Sequence, residues 1–344
     1  YVGSKEALGK GGAETALCFD LGGPALGPMA AVDDGRSVEV YAVGTDGKLW
    51  LTRITDAPQA EFFEVPGPVE LNGRGFPSQA FVAVRRLDGA VRLAIADEGA
   101  VHLATFDYGK ALVDGAVTWA RLDDVSDEDP QLVTSIFLSK DAHRTVHALA
   151  GDRILTWTDR GPADPIPNAI DLLPVQGADE ALLITESGTN WKIERKRSDA
   201  EAIEMITDAA SSADFARNYR AAGKSLGGQL YIAGFNEPEP NERRADLVVT
   251  EVETAARVVE VSAAEPQPIS FDLLSNVKRN WPPAIVLSAP TPSAFIPTAK
   301  KSYRPVRLPE IGPTLKNARQ FLNYGGRTIV QHFERGLLYS LAKG

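Results

Sequence analysis

An all-β fold made of repeated antiparallel sheets is what this 344-residue sequence predicts, on three observations. A hairpin pattern recurs about every fifty residues, strand-like segments flank most copies, and helical periodicity is nearly absent. One strand, a hairpin and a further strand per copy make a four-stranded antiparallel sheet. Such a sheet cannot bury both faces alone and must stack radially on others like it. Seven copies therefore predict a seven-bladed β-propeller, with six blades as the alternative, in a single domain spanning residues 1–344.

Each hairpin is two β-rich runs around a short turn of Asp, Glu, Ser or Gly. The copies are VEVYAVGTDGKLWLTRI (38–54), VRLAIADEGAVHLATF (91–106), VHALAGDRILTWT (146–158) and ALLITESGTNWKIE (181–194). They continue as QLYIAGFNEPEPNERRADLVVTEV (229–252), the Pro-broken AIVLSAPTPSAFIPTA (284–299) and TIVQHFERGLLYSL (328–341). Outer strands are expected at 61–67, 117–123, 202–208, 258–263 and 305–310, and inner strands at 28–34, 80–86 and 132–140. In the fourth copy LLPVQGADE (172–180) leaves little room for an inner strand, and the best helical candidate is DFARNYRAAGK (214–224). The last copy ends without an outer strand, whereas TALCFDLG (15–22) resembles one. Pairing Ala16–Asp20 with Leu337–Leu341 would close the ring and remove an exposed edge.

Composition narrows the function classes. Hydrophobic residues make up 44% and charged residues 24%, the balance of a globular chain with a sizeable core. A net charge of −10 and a pI near 5.1 argue against a nucleic-acid partner. No run approaches the ~18 apolar residues of a membrane span. The lone Cys18 cannot form an intrachain disulfide, and no Asn-x-Ser/Thr acceptor occurs. Residues 1–12 lack the pattern of a secretory signal. The compartment stays open, with an extracellular setting preferred.

The phrase VYAVGTDGKLWL (40–51) resembles the inner hairpin of lectin-type and tectonin-type propellers, whose blades carry an aliphatic run, an Asp-Gly turn and Leu-Trp or Leu-Tyr. The resemblance covers one blade well and the next two loosely, and it implies recognition of a carbohydrate or a protein surface. Blades here have diverged from one another, so repeated sugar sites do not map across. WD-repeat and kelch signatures are missing.

Motifs for dedicated chemistry are missing too. His102, His143, His147 and His332 fall in different copies without HExxH, and GSKEALGKGG (3–12) and AGKS (222–225) lack P-loop spacing. The expected cofactor and metal sets are therefore empty. Trp50, Trp157 and Trp191 follow their turns at one repeated position, which in a repeat fold is a packing position. The acidic DDVSDEDP (123–130) reads as a solvated loop and FNEPEPNERR (235–244) as a surface loop suited to partner contact.

Charge along the inner strands is the sharpest functional signal. Early copies are apolar there, whereas late ones read FARNYR (215–220), LLSNVKRNW (273–281) and LKNARQFLNY (315–324). Lining one channel, Arg217, Tyr219, Lys278, Arg279, Trp281, Arg319 and Tyr324, with His332, would form a cavity for an anionic small ligand. His332, Tyr219 and Tyr324 are the candidates for acid–base work, although no residue is assigned as catalytic. The leading expectation is a non-catalytic binding module for a glycan or protein surface. The alternatives are a lyase or hydrolase acting on an anionic saccharide or lactone, and a structural propeller within a larger toxin or adhesin.

Overall fold

The computed structural model describes residues 26–33, 38–54, 62–68, 71, 75–77, 80–97, 100–107, 117–123, 131–176, 178–225, 227–236, 245–263, 271–274, 281–287, 293–299, 302–307, 321–324, 327–332 and 337–342. These form strands almost throughout, grouped into consecutive antiparallel modules. Module 1 is β1 (Leu26–Asp33), β2 (Val38–Gly44), β3 (Leu49–Ile54) and β4 (Phe62–Val65). Module 2 is β5 (Val82–Leu87), β6 (Ala90–Asp97), β7 (Ala100–Asp107) and β8 (Trp119–Asp123). Module 3 is β9 (Val133–Leu138), β10 (Val146–Ala150), β11 (Arg153–Thr158) and β12 (Gly161–Ile166). Module 4 is β13 (Ala169–Gln176), β14 (Glu180–Ser187), β15 (Asn190–Arg197) and β16 (Ile203–Ser211). Module 5 is β17 (Asn218–Lys224), β18 (Leu230–Phe235), β19 (Ala245–Glu251) and β20 (Ala256–Ala263). Module 6 is β21 (Phe271–Leu274), β22 (Ala284–Leu287), β23 (Ser293–Ala299) and β24 (Ser302–Arg307). The last group, β25 (Phe321–Tyr324), β26 (Arg327–His332) and β27 (Leu337–Ala342), has three strands among the described residues. The expected closing strand at Ala16–Asp20 lies outside the described residues.

Two compact units divide the chain: Leu21–Leu172 with Arg197–Ala202, and Tyr1–Asp20 with Leu173–Lys196 and Ile203–Gly344. Within the first, β1 neighbours β5 and β5 neighbours β9. Within the second, β17 neighbours β21, and β13 runs parallel to β17 through Val175↔Ala222 and Gln176↔Gly223. Within each unit the first strands of neighbouring modules thus lie side by side, as the inner strands of a propeller do.

Burial follows the same gradient. The second strands β6 and β10 are almost wholly buried, whereas the fourth strands β8, β12 and β16 are mostly exposed or half-buried. Strand β6 shows how one apolar run serves two neighbours. Val91, Leu93 and Ile95 pack with Tyr41, Val43, Leu49 and Leu51 of module 1, whereas Ala94 and Ala96 meet Ile136, Leu138, Leu155 and Trp157 of module 3. Period-two alternation assigns odd positions to one side and even positions to the other. Small alanines on the even side leave room for the larger side chains opposite. Burying each of the Leu and Ile side chains contributes about 1.5–3 kcal/mol.

Two expectations are corrected. Module 4 does have an inner strand: β13 starts at Ala169, directly after the short link Pro167–Asn168, where Asn168 takes a φ of 56°. The tight link moves the strand towards the N-terminus of the window in which it was sought. The helical candidate 214–224 is instead a 3-10 turn at Ser212–Asp214 followed by β17. Pairing with β18, buried at all six positions, outweighs the helical preference of its Ala, Arg and Lys residues.

Candidate functional site

The Asp-Gly hairpin joining β2 to β3 borders a cavity in the first unit. Its turn is closed by Gly47 N–H donating to Gly44 O at 3.0 Å and Gly44 N–H donating to Lys48 O at 2.8 Å. Gly47 supplies the φ of 77° that the turn requires. Asp46 Oδ1 accepts from Lys48 N–H at 3.0 Å and from the Trp50 indole at 3.3 Å, which pins the loop from its own side chain. The segment Gly75–Pro77 lies against this tip, with Phe76 N–H donating to Gly47 O at 2.8 Å.

Between these pieces lies a cavity of about 530 Å³ bordered by Gly47, Lys48, Glu64, Gly67, Gly75 and Phe76. Lys48 Nζ meets Glu64 Oε2 at 2.7 Å, with both side chains half exposed. The hydrogen bond that Lys48 donates to Glu64, then the charge of that carboxylate, holds the Lys48 ammonium above the ordinary lysine range. Behind Phe76 the Trp119 and His102 rings each lie 5.9 Å away. The Trp119 indole is tied to Pro66 O at 2.9 Å, and His102 Nε2 sits 3.4 Å from Asp97 Oδ2. A ring, glycine backbone and an exposed ion pair thus meet in one concavity, a set that can stack on apolar C–H surface while hydrogen-bonding its polar rim.

The predicted site residues fare differently. Arg217 is exposed and precedes β17; its N–H donates to Asn236 Oδ1 at 2.9 Å and its carbonyl accepts from Arg220. Tyr219 is in β17, Tyr324 ends β25, and His332 ends β26 opposite Leu337. Trp281 is half-buried, three residues before β22. Lys278, Arg279 and Arg319 lie outside the described residues. Arg217 and Arg319 come before β17 and β25, whereas Lys278 and Arg279 come after β21.

Two of the three repeat tryptophans are buried packing residues, whereas Trp50 is half-buried beside its turn. Trp157 and Trp191 are each 6% exposed. The Trp157 indole donates to Asp123 O at 3.2 Å, and Trp191 stacks on Phe215 at 5.4 Å with the Arg220 guanidinium 5.2 Å from its ring. Sequence reasoning passed over Gly75–Phe76 because nothing local marks the segment as the partner of a distant turn.

No family model matches the sequence, and no curated protein matches it. Solved structures match in fold. A catalytically inactive virginiamycin B lyase from Staphylococcus aureus with quinupristin aligns at a TM-score of 0.54 and 12% identity, covering 95% of this chain and 98% of that one. This is a β-propeller-type fold. BBS1N in complex with ARL6DN aligns at 0.52 and 13% identity over 93% of each chain. A polysaccharide lyase of family PL25, an ulvan lyase bound to a saccharide, aligns at 0.53 and 12%, over 95% of this chain and 94% of that one. Likeness at such identities extends to the fold and stops there.

Proposed function

We propose that the chain is a non-catalytic binding module recognising a carbohydrate or a protein partner, and that recognition centres on the cavity beside the β2–β3 turn. The observation carrying this reading is that Phe76, glycine backbone and the exposed Lys48–Glu64 pair border one concavity of about 530 Å³, next to the lectin-like hairpin. Its size suits one or two sugar rings or a short peptide segment. Among structurally similar proteins, one is seen with a protein partner and another with a saccharide, which supports a surface-recognition role.

The test is a glycan array and a pull-down, each run on the wild type and on Gly67→Leu. Gly67 borders the cavity, and a Cβ there would meet only Phe76, at an ordinary 3.7 Å, so the leucine fills the space without backbone strain. The reading expects a saturable partner that Gly67→Leu loses while its circular dichroism is unchanged. No partner in either assay, or binding indifferent to Gly67→Leu, overturns it.

A second reading, a lyase or hydrolase acting on an anionic saccharide or lactone, draws support from the two lyases among the similar structures. Turnover of a uronate and lactone panel that disappears in Arg279→Ala favours it; a flat panel removes it.

A further inference from the structure

We propose that the cavity beside the β2–β3 turn receives a protein segment that inserts one uncharged aliphatic or proline side chain, and that it does not receive a carbohydrate. This rests on the reading that recognition centres on that cavity, and it names the class of ligand seated there. The space of about 530 Å³ is large enough for one anchor side chain with the peptide units on either side of it.

The floor decides the class. Leu49, Val65, Leu71 and Phe76 are buried members of the core shared by modules 1 and 2, and the buried Pro68 adds to them. Among the described residues bordering the space, Lys48 and Glu64 are the only polar side chains. Much of the backbone there is already engaged. Gly47 O accepts from Phe76 N–H at 2.8 Å, Pro68 O accepts from Leu71 N–H at 3.2 Å, and Leu49 pairs with Val65 across the β3–β4 ladder. A sugar ring carries a hydroxyl on nearly every carbon, and each one seated here without a partner weakens binding about tenfold or more. Phe76 is no stacking platform either. Its ring meets Trp119 and His102 at 5.9 Å, tilted by 55° and 76°, and the residue is only 4% exposed. Methyl and methylene groups need no hydrogen-bond partner and gain from leaving water.

The rim adds direction. Lys48 Nζ and Glu64 Oε2 stand 2.7 Å apart on half-exposed side chains, so the rim presents a donor and an acceptor side by side with no net charge. An ammonium has three N–H groups and a carboxylate several lone pairs, so each keeps capacity beyond their mutual bond. A peptide unit carries the complementary pair: its C=O accepts from the ammonium and its N–H donates to the carboxylate. Flanking side chains follow the same rule, an acidic one on the Lys48 side of the anchor and a basic one on the Glu64 side. A polyanionic saccharide would meet the Glu64 charge as well as the Lys48 charge and gain little from the pair.

Selection of a phage-displayed library of short random peptides on the full chain, run beside a glycan array, tests the assignment. Enriched peptides should share one leucine, isoleucine or proline with an acidic residue on one side and a basic residue on the other. By fluorescence polarisation they should saturate one site. Exchanging the anchor for serine in the peptide should weaken binding about tenfold or more, and Gly67→Leu in the protein should abolish it with circular dichroism unchanged. Lys48→Glu combined with Glu64→Lys should reverse the preferred order of the flanking charges, a readout that mere loss of structure would not give. Enriched peptides indifferent to Gly67→Leu, to the serine exchange or to the double charge reversal overturn the proposal. So does a saccharide on the array whose binding Gly67→Leu removes, and in that case the cavity reading stands. No enriched peptide overturns the proposal too, and with an empty array the cavity reading falls with it.

Discussion

Replacing Gly75 by alanine should destabilise the protein by about 2 kcal/mol, half of it from the backbone and half from crowding. Gly75 sits at a φ of 77°, which costs an L-residue about 1 kcal/mol relative to glycine. A Cβ there would lie 2.8 Å from Gly47 O, closer than real Cβ atoms approach, and a tight 3.1 Å from Gly47 C and Cα. The same oxygen accepts from Phe76 N–H at 2.8 Å, so relief of the clash lengthens that hydrogen bond and forfeits about 1 kcal/mol more. Gly89 is the matched control: its φ is 87°, but nothing lies within 4 Å of its Cβ position. Gly89→Ala should therefore cost only the backbone share, about 1 kcal/mol. Urea unfolding followed by tryptophan fluorescence gives both values from the midpoints at constant slope. Equal losses in the two variants would refute the close approach of Gly75 to Gly47, and with it the wall of the cavity.

Three further outcomes are expected. Ala255 occupies a φ of 50°, so Ala255→Gly should raise the urea midpoint by the equivalent of about 1 kcal/mol. Lys224 Nζ stands 2.6 Å from the buried Glu180 Oε1; Lys224→Met strands that carboxylate at a cost of about 3 kcal/mol, and the double variant with Glu180→Leu should recover much of the loss in the same assay. Burial, then the charge of Glu251, push the Tyr231 phenol up to about 12. Its folded value exceeds the unfolded one, so its contribution is complete below about pH 10 and is lost as pH rises towards 12. Tyr231→Phe should flatten that alkaline limb in unfolding measurements at stepped pH and remove one late-titrating phenol from absorbance at 295 nm. Some slope should remain, because burial also raises Tyr303, whose hydroxyl donates to Pro283 O at 2.8 Å.

Much of the strand order is legible in the sequence. VRLAIAD (91–97) is a continuous apolar run with one interruption, and it becomes a fully buried second strand. The module's outer strand WARLD (119–123), paired with β7, is exposed or half-buried throughout. The Asp-Gly turns at Asp46–Gly47 and Asp88–Gly89 mark hairpins because they supply the positive φ those links need. Module 4 was harder to read, since Pro167–Asn168 turns the chain in two residues and leaves no loop to separate two strands.

Local physics accounts for what the sequence by itself determined: hairpins, their turns and the apolar strands that must be covered on both sides, each set by residues a few positions apart. Which neighbour each side chain meets was decided only in three dimensions. Arg92 reads as a stray charge in an apolar strand until Ser139 O, 47 positions away, is seen to accept from it. Gly75 has no visible purpose until Gly47 is found against it. Contacts of that range depend on how modules pack face to face, and period-two alternation says that two faces exist without saying what each one touches.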